Sequence, residues 1–450
     1  MGNKEFFKML ILFVVFFVIS FCYKIFFLPL NGDEIWCYGF SYNIAKGLVI
    51  YRDFNVMVTP LYFFLSSIFI HLFGNYLISI HLFDCILIGF LAIILYKRLG
   101  LYKLLLLYPL IIIYYFPSYN YFSMFLLFVI IYLLDSHDNK YYDVVSFLVG
   151  LIFISKQSIG IFLLIPVLFY SKNRLKSLFI YFIPFFLVSL YLFVQGAFFD
   201  FINYCFLGMV DFGKSNLEFS ICFLLEILLC LYLVIKLFRG RFRNKKYLFI
   251  LMFQINSYPI FDLGHFVVCL IPVIYCVLEN FGVMNLRLYY RFLLMSVVWF
   301  IFVFYILKIV FTLDYKIDFN QEKFWYLRNN SSREIPIMKE SEVIKKYYLD
   351  YDYYFIIGVS SYAIKLYNNI PIGQYDLLSN GNLGYRGDVR VIKEIDNLCE
   401  KKSCVFFVEE QEFEKYSQFS EKIYDYVLSH YQKVVGNEPF FVYDNKKTLN

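Results

Sequence analysis

Two adjacent carboxylates, Asp33 and Glu34, follow the first long apolar run of the chain. A carboxylate at a membrane surface can act as a general base on an acceptor hydroxyl, because it can take the proton as the oxygen attacks. Acidic residues at a helix start also complement the helix dipole and cap free N–H groups. The local sequence is compatible with both roles.

The same polar stretch continues to Arg52 and Asp53. An arginine can hold a phosphate through two parallel hydrogen bonds. Arg52 and Asp53 are therefore candidates for binding a donor phosphate or another part of a substrate. The alternative is a surface arginine that simply pairs with its neighbour Asp53.

Lys156 and Gln157 interrupt an apolar run. A charge inside a membrane is costly, so an ionisable residue there is a functional-site hypothesis with a partner to be found. Lys156 could meet an anionic headgroup in a central cavity. It could equally pair with Asp84 or Glu226, which also lie within apolar runs.

Asp262 and His265 stand three residues apart, a spacing that places them on one face of a helical turn. A histidine there can bind a phosphate, orient a catalytic carboxylate or ligate a metal. A polar turn with a hydrogen-bonded histidine is the plainer interpretation.

The composition limits what kind of chain can position these residues. Of 450 residues, 61% are hydrophobic and only 17% are charged, whereas soluble domains contain about a quarter charged residues. A soluble enzyme, a disordered chain and a nucleic-acid binder are excluded. The sequence predicts an α-helical polytopic membrane protein over residues 1–314, with about ten to eleven spans. Residues 315–450, where charges are denser, form a second, water-soluble domain.

The predicted spans follow from the lengths of the apolar runs. They cover residues 7–30, 60–74, 76–96, 102–117, 120–134, 144–170, 177–195, 217–237, 247–261, 264–280 and 292–313. The first is interpreted as a retained helix rather than a cleaved signal peptide. Within the polar loop 31–59, residues 35–46 predict an aromatic-rich helix lying along the membrane interface.

Lysines and arginines in short loops predict the orientation, because cytoplasmic loops are enriched in them. With a cytoplasmic N-terminus, three basic clusters fall inside, while loop 31–59, the turn 258–265 and the 315–450 domain fall outside. These clusters contain Lys172, Arg174 and Lys176; Lys236, Arg239, Arg241, Arg243, Lys245 and Lys246; and Arg287 and Arg291. One loop contradicts this count, since Lys97, Arg98 and Lys103 fall outside.

The C-terminal domain has the pattern of a small α/β module. Strands are predicted at 353–359, 405–408 and 440–443, and helices at 361–369, 388–398 and 411–431. Cys399 and Cys404 either form a disulfide in an extracytoplasmic domain or remain two thiols.

In this order, the motifs resemble those of the GT-C superfamily of membrane glycosyltransferases, in the branch of protein O-mannosyltransferases and aminoarabinose-type transferases. The residues that carry the resemblance are Gly32-Asp33-Glu34, the loop Gly47…Tyr51-Arg52-Asp53-Phe54…Thr59-Pro60-Leu61, Lys156-Gln157, and Pro259…Asp262…His265. The similarity covers residues 5–310, and the C-terminal domain resembles the extracytoplasmic domain of some members.

The resemblance implies inverting transfer of a sugar from a polyprenyl-phosphate donor to an acceptor hydroxyl on the outer face of the membrane. Asp33 is then the general base, while Glu34 binds a substrate or orients Asp33. Arg52, Lys156 and His265 are the candidates for stabilising the leaving phosphate. Some members have a lysine where this chain has Thr59. No carboxylate cluster demands a metal, so no cofactor is expected; a divalent ion is the weaker alternative.

Two other classes of function remain open at this stage. A lipid or sugar transporter would also carry intramembrane charges, although transporters often show repeated halves and none is visible here. A non-catalytic subunit of cell-surface polysaccharide assembly would use the C-terminal domain as a binding module. The partners expected for the preferred interpretation are the bilayer, the lipid-linked sugar and an acceptor glycan, lipid or protein, with no nucleic acid.

Overall fold

The described part of the chain, in a computed structural model, covers most of the membrane region and about half of the C-terminal domain. It comprises residues 3–26, 32–113, 118–136, 141–215, 217, 219–280, 288–312, 341–346, 350–358, 365–366, 370–371, 373–376, 378, 382–408, 420–437 and 440–445.

Helices dominate the membrane part. In chain order they are α1 (Asn3–Phe26), α2 (Gly32–Ala45), α3 (Leu61–Phe73), α4 (Leu77–Ile113), α5 (Tyr119–Ser136), α6 (Tyr142–Phe153), α7 (Gln157–Tyr170), α8 (Arg174–Val194), α9 (Phe198–Ile202), a π-helical turn (Asn203–Leu207), α10 (Met209–Ser215), α11 (Ile221–Arg239), α12 (Lys245–Phe253), a 3₁₀ turn (Gln254–Ser257), α13 (Leu263–Asn280) and α14 (Leu288–Thr312). Among the described helices, five are long and apolar enough to cross a membrane by themselves, and five more are shorter and apolar. The chain is a multi-pass helical membrane protein, as predicted.

The predicted span 60–74 is wrong, because α3 begins and ends at the same end of the helix bundle. Its first amide, on Leu61, donates to the carbonyl of Ile154 in the turn after α6. Just beyond its last residue, the carbonyl of Asn75 accepts a hydrogen bond from Tyr38 of α2. We call the end that contains α2 and this turn the site end.

Without the span 60–74, the loop with Lys97, Arg98 and Lys103 falls at the same end as the other basic loops, so the contradiction in the orientation count disappears. Helix α4 starts at the site end and runs to a break at Gly100, whose φ of 76° is left-handed. There Lys103 donates to the carbonyl of Glu279 in the last turn of α13. The ammonium of Lys246 lies 3.5 Å from Asp135 and also contacts Glu279. The basic loops therefore gather at one end of the bundle, opposite the site end.

The predicted span 144–170 is also wrong, because α6 and α7 form an antiparallel hairpin. A Cβ added to Gly160 of α7 would lie 2.2 Å from the Cα of Phe153 in α6. Only glycine permits this contact, so the two helices pack backbone to backbone. The turn between them, which contains Lys156, lies at the site end.

The predicted helix in loop 31–59 is present as α2, which ends at Ala45, two residues before Gly47 with its left-handed φ of 85°. Its place at the membrane interface stays a prediction. Ile35, Tyr38 and Phe40 are among its buried side chains, and α2 packs against α3. Asp33, at its start, is an exception and is exposed.

The C-terminal domain contains a four-stranded sheet with the order β1-β2-β4-β3. The strands are β1 (Tyr353–Ile357), β2 (Cys404–Val408), β3 (Gln432–Asn437) and β4 (Phe440–Asp444), with helices α15 (Gly387–Cys399) and α16 (Glu421–His430). Strands β1 and β2 are parallel, and the other pairs are antiparallel. The α/β prediction is confirmed, β3 was missed, and Cys399 and Cys404 form a disulfide.

Some predictions fall on residues outside the described part of the chain. They concern Arg287, residues 27–30, residues 411–419 and nearly all of the predicted helix 361–369.

This domain docks on the loops at the site end. Arg390 of α15 donates to the hydroxyl of Tyr204 in the π-helical turn, at 2.8 Å. The amide of Asn55 donates to the carbonyl of Asn382 at 2.7 Å. The close approach of Gly384 to Asn203 leaves no room for a Cβ on Gly384. The soluble domain and the site therefore share one end of the molecule.

Candidate active site

Asp33 lies in the first turn of α2, with its side chain accessible to solvent. His265, Asp262 and Lys156 all lie close enough to affect its carboxylate electrostatically, which places the four groups at one site. Burial among protein atoms is the main influence and raises the pKa of Asp33, while the positive charge of Lys156 partly offsets this rise. Its carboxylate is thus accessible to solvent although protein atoms surround it, and we call the accessible space beside Asp33 the cleft.

Glu34 points away from this cleft. Adjacent residues on a helix do not face the same direction, so Asp33 and Glu34 separate. Glu34 is buried against α4, where its carboxylate contacts the imidazole of His81. Of the two predicted roles, this placement favours orientation of Asp33 over contact with a substrate.

Lys156 precedes the first residue of α7, and its side chain is 8% exposed. Its Nζ donates to Asn120 Oδ1 at 2.8 Å, to the carbonyl of Asn256 at 3.0 Å and to Asn256 Oδ1 at 2.9 Å. These partners are neutral. The sequence alternative that paired Lys156 with Asp84 or Glu226 is therefore wrong.

Each of those two acids has another neighbour. Asp84 lies 3.5 Å from the ammonium of Lys24 and accepts a hydrogen bond from Tyr62. Glu226 is buried in α11 beside Cys269. The ammonium of Lys156 thus remains a buried cation whose direct hydrogen-bond partners carry no charge.

Asp262 and His265 form the predicted pair at the start of α13. His265 Nδ1 lies 2.9 Å from Asp262 Oδ1, which also accepts the backbone N–H of His265 at 2.7 Å. Burial acts to raise the pKa of Asp262, but the hydrogen bonds it accepts from His265 outweigh this effect and hold the pKa below its usual value. Asp262 is therefore an anchored carboxylate rather than a proton acceptor.

Two asparagines connect these groups, and nothing in the sequence singles them out. Asn120 lies between Lys156 and His265, with its Nδ2 3.3 Å from His265 Nε2. Asn256, in the 3₁₀ turn after α12, supplies two of the three acceptors of Lys156. Single asparagines in apolar surroundings have no spacing signal.

Gln157 is next to Lys156, but its amide is occupied by structural contacts. Its Nε2 donates to the carbonyls of Met57 and Cys205, both at 2.8 Å. It thereby joins the first loop to the π-helical turn. Gln157 is well placed to hold Lys156, rather than to contact a substrate itself.

Arg52 and Asp53 are not brought to the cleft by any described contact. Arg52 Nε lies 2.8 Å from Asp53 Oδ1, and its Nη1 donates to the carbonyl of Gln195 at 3.1 Å. The hydrogen bond from Arg52 is the main cause of a lowered pKa at Asp53. The carbonyl of Arg52 accepts from Gln374 of the C-terminal domain. The surface-pair alternative describes these contacts, and the pair lies where the two domains meet.

The described residues include no group of three or more His, Cys, Asp or Glu side chains that could hold a metal ion. The absence of a cofactor remains a prediction.

Comparison with solved structures relates this geometry to a known architecture. The chain is similar to ArnT from Cupriavidus metallidurans, both in its complex with undecaprenyl phosphate (TM-score 0.58, 12% identity) and in the apo state (TM-score 0.56, 13% identity). Each match covers 98% of both chains. No protein-family model and no curated protein matches the sequence.

The match runs through the membrane part and the C-terminal domain together. The chain therefore has the GT-C fold, and the predicted resemblance to the aminoarabinose-transferase branch is confirmed for the architecture. At this identity the likeness concerns fold, so activity must be argued from the site itself.

Proposed function

We propose that the protein is a membrane glycosyltransferase that moves a sugar from a polyprenyl-phosphate donor to an acceptor hydroxyl. The observation that carries the proposal is the meeting of an accessible carboxylate, Asp33, with a buried ammonium, Lys156, at one site of a GT-C fold. A base and a cation are the two groups that such a transfer needs.

The reaction assigns each of them a step. The acceptor oxygen attacks the anomeric carbon of the sugar while Asp33 takes the hydroxyl proton. The bond between that carbon and the phosphate oxygen breaks on the opposite face, so the configuration inverts. The polyprenyl phosphate leaves with the electron pair, and the positive charge of Lys156 stabilises it.

The surroundings of Lys156 suit an anion. Its ammonium is nearly dry, and attraction to a phosphate is stronger where water is excluded. It also lies at the N-terminus of α7, where free N–H groups and the helix dipole favour negative charge. His265, linked through Asn120, is the second candidate for phosphate contact.

The donor lipid fits the remainder of the molecule. A polyprenyl chain requires an apolar surface, and aromatic residues make up 23% of this chain. The similar ArnT structure contains undecaprenyl phosphate. The acceptor is a glycan, lipid or protein at the cell surface, and the proposal includes no resident metal ion. Glu34, Gln157 and the Arg52–Asp53 pair act by holding the first loop in place.

We also propose that the N-terminus is cytoplasmic and that the site and the C-terminal domain are extracytoplasmic. The basic loops gather at the end opposite the site, as expected for the cytoplasmic side. The disulfide between Cys399 and Cys404 suits an oxidising compartment. Alkaline phosphatase fused after residue 450 should be active in bacterial cells, and the same enzyme fused after Arg241 should be inactive. The reverse pattern would contradict this orientation.

Binding of the lipid provides the test of the proposed ligand class. Native mass spectrometry of the purified protein in mixed micelles should show one undecaprenyl phosphate retained per chain. Undecaprenol, which has the same hydrocarbon without the charge, should be retained at least about tenfold less well, because a charge-assisted hydrogen bond contributes about 1.5–3 kcal/mol. Equal retention of both lipids would contradict a phosphate site.

A further inference from the structure

Asn120 makes hydrogen bonds to both ionisable groups on either side of it. It lies in the first turn of α5 and is 5% exposed. Its Oδ1 is 2.8 Å from Lys156 Nζ, and its Nδ2 is 3.3 Å from His265 Nε2. One amide thus spans the gap between a buried cation and an imidazole.

The chemistry of lysine fixes which way this amide points. An ammonium has only donors, so the Asn120 atom that faces Lys156 must be the oxygen. The NH₂ group then faces His265, and Nε2 must accept through its lone pair. The imidazole proton therefore lies on Nδ1, where it donates to Asp262 Oδ1 at 2.9 Å. Of the two neutral tautomers of His265, this arrangement therefore fits the one protonated on Nδ1.

A second proton on His265 cannot be accommodated by the same arrangement. Nε2–H would face the NH₂ group of Asn120, donor against donor. If the amide turned to offer its oxygen to His265, its NH₂ group would face Lys156, which has no acceptor. The amide oxygen of Asn120 can therefore serve either the ammonium or an imidazolium in this geometry.

The other charged groups around this bridge are carboxylates. Asp262 contacts His265 directly, and Asp33 of α2 acts on the cluster through its charge. Glu226 of α11 and Lys156 both act electrostatically on Cys269, so Glu226 belongs to the same surroundings. Asn256 contacts Lys156 and has no described contact with His265. It is therefore a natural control for Asn120.

We propose that Asn120 is a positioning residue that couples Lys156 and His265. While its amide oxygen accepts from Lys156, His265 stays neutral. When His265 takes up a proton from the solvent, the amide oxygen turns to His265, and one N–H of Lys156 becomes free for a phosphate oxygen. The phosphate part of this inference rests on the proposed function. The tautomer part rests only on hydrogen-bond chemistry.

The tautomer part is tested by ¹⁵N NMR of the histidine rings in the full-length protein in nanodiscs at pH 7. In the native protein, His265 should show the signature of a neutral ring protonated on Nδ1, assigned by its loss in His265→Gln. In Asn120→Asp the new carboxylate can accept from Lys156 and from Nε2–H together, so His265 should become imidazolium. Asn256→Asp also places a carboxylate beside Lys156, but it should leave the His265 signal unchanged.

The phosphate part is tested with the same proteins and undecaprenyl phosphate, followed by ³¹P NMR. Both aspartate variants should bind the lipid about 10- to 100-fold more weakly, because the carboxylate takes over the charge-assisted hydrogen bond of Lys156. If Asn120→Asp does not fold, Asn120→Ala replaces it and should give His265 a mixture of neutral tautomers.

The outcomes separate the inference from the proposed function. An unchanged His265 signal in the Asn120 variants would overturn the inference, whatever the lipid does. A changed His265 signal with normal lipid binding in both aspartate variants would support the bridge and overturn Lys156 as the phosphate site.

Discussion

Sugar transfer by the Asp33→Asn variant is expected to be about 10²- to 10⁴-fold slower than by the native protein, the range that a general base contributes. Asparagine has the shape of aspartate but cannot take the proton of the acceptor hydroxyl. Asp33 is exposed in the cleft and forms no part of the buried core, so folding should be preserved. The measurement is the rate of polyprenyl phosphate release at saturating donor.

Glu34→Gln is the matched control for Asp33→Asn, since it makes the same chemical change one residue later. Glu34→Gln weakens a buried contact with His81, so it should lower the thermal stability. The transfer rate of the folded variant should stay close to native. Binding of undecaprenyl phosphate should remain normal in Asp33→Asn. A larger rate loss in folded Glu34→Gln than in Asp33→Asn would contradict the assignment of the base.

The native enzyme should also lose activity on acidification. A base works only when it is ionised, and burial raises the pKa of Asp33 above the ordinary 3.8. The rate should therefore fall at a higher pH than it would for a fully hydrated aspartate.

Lys156→Gln is expected to slow transfer by about 10²- to 10³-fold, comparable to removal of a preorganised group that stabilises developing negative charge. Glutamine keeps an N–H donor for Asn120 or Asn256 but loses the charge. Because the site is nearly dry, the loss should be larger than for an exposed lysine. Undecaprenyl phosphate should also bind more weakly, so both the rate and the donor KM should change.

Lys46→Gln is the control for this variant. Lys46 also lies at the site end, directly after the last residue of α2, but its side chain is exposed and a whole helix length from Asp33. Its replacement should leave transfer close to native. Equal effects of the two substitutions would indicate a general surface charge effect and would contradict a phosphate contact at Lys156.

Run length and loop charge predicted the membrane class and most helices, because bilayer thickness and the cost of buried charge act on the sequence directly. They failed at α3 and at the α6–α7 hairpin. A thirteen-residue apolar helix packed within protein has the same composition as a short span. The hairpin has a tight turn around Lys156, which the sequence shows only as one polar break in a long apolar run.

The sequence indicates those site residues that are unusual in their own surroundings. It does not indicate residues whose role depends on contacts between distant parts of the chain. Asp33, Lys156, Asp262 and His265 could be selected from the sequence because ionisable groups in apolar surroundings stand out, and the structure brings these four near one another; their roles stay predictions. Asn120 and Asn256 act through contacts with residues far away in the chain. Strand β3 was missed because its sequence, with Gln, Lys, Gly and Asn among six residues, is weakly β-forming without its partner β4.

The most direct test of the central claim is sugar transfer by purified protein in lipid vesicles. Radiolabelled polyprenyl-phosphate sugars of different sugar types are supplied with a membrane fraction containing acceptors, for native protein and for Asp33→Asn at equal folded yield. The account predicts that the native protein releases polyprenyl phosphate from at least one donor and transfers its sugar, while Asp33→Asn does neither at a comparable rate. Equal transfer by both proteins would contradict the account.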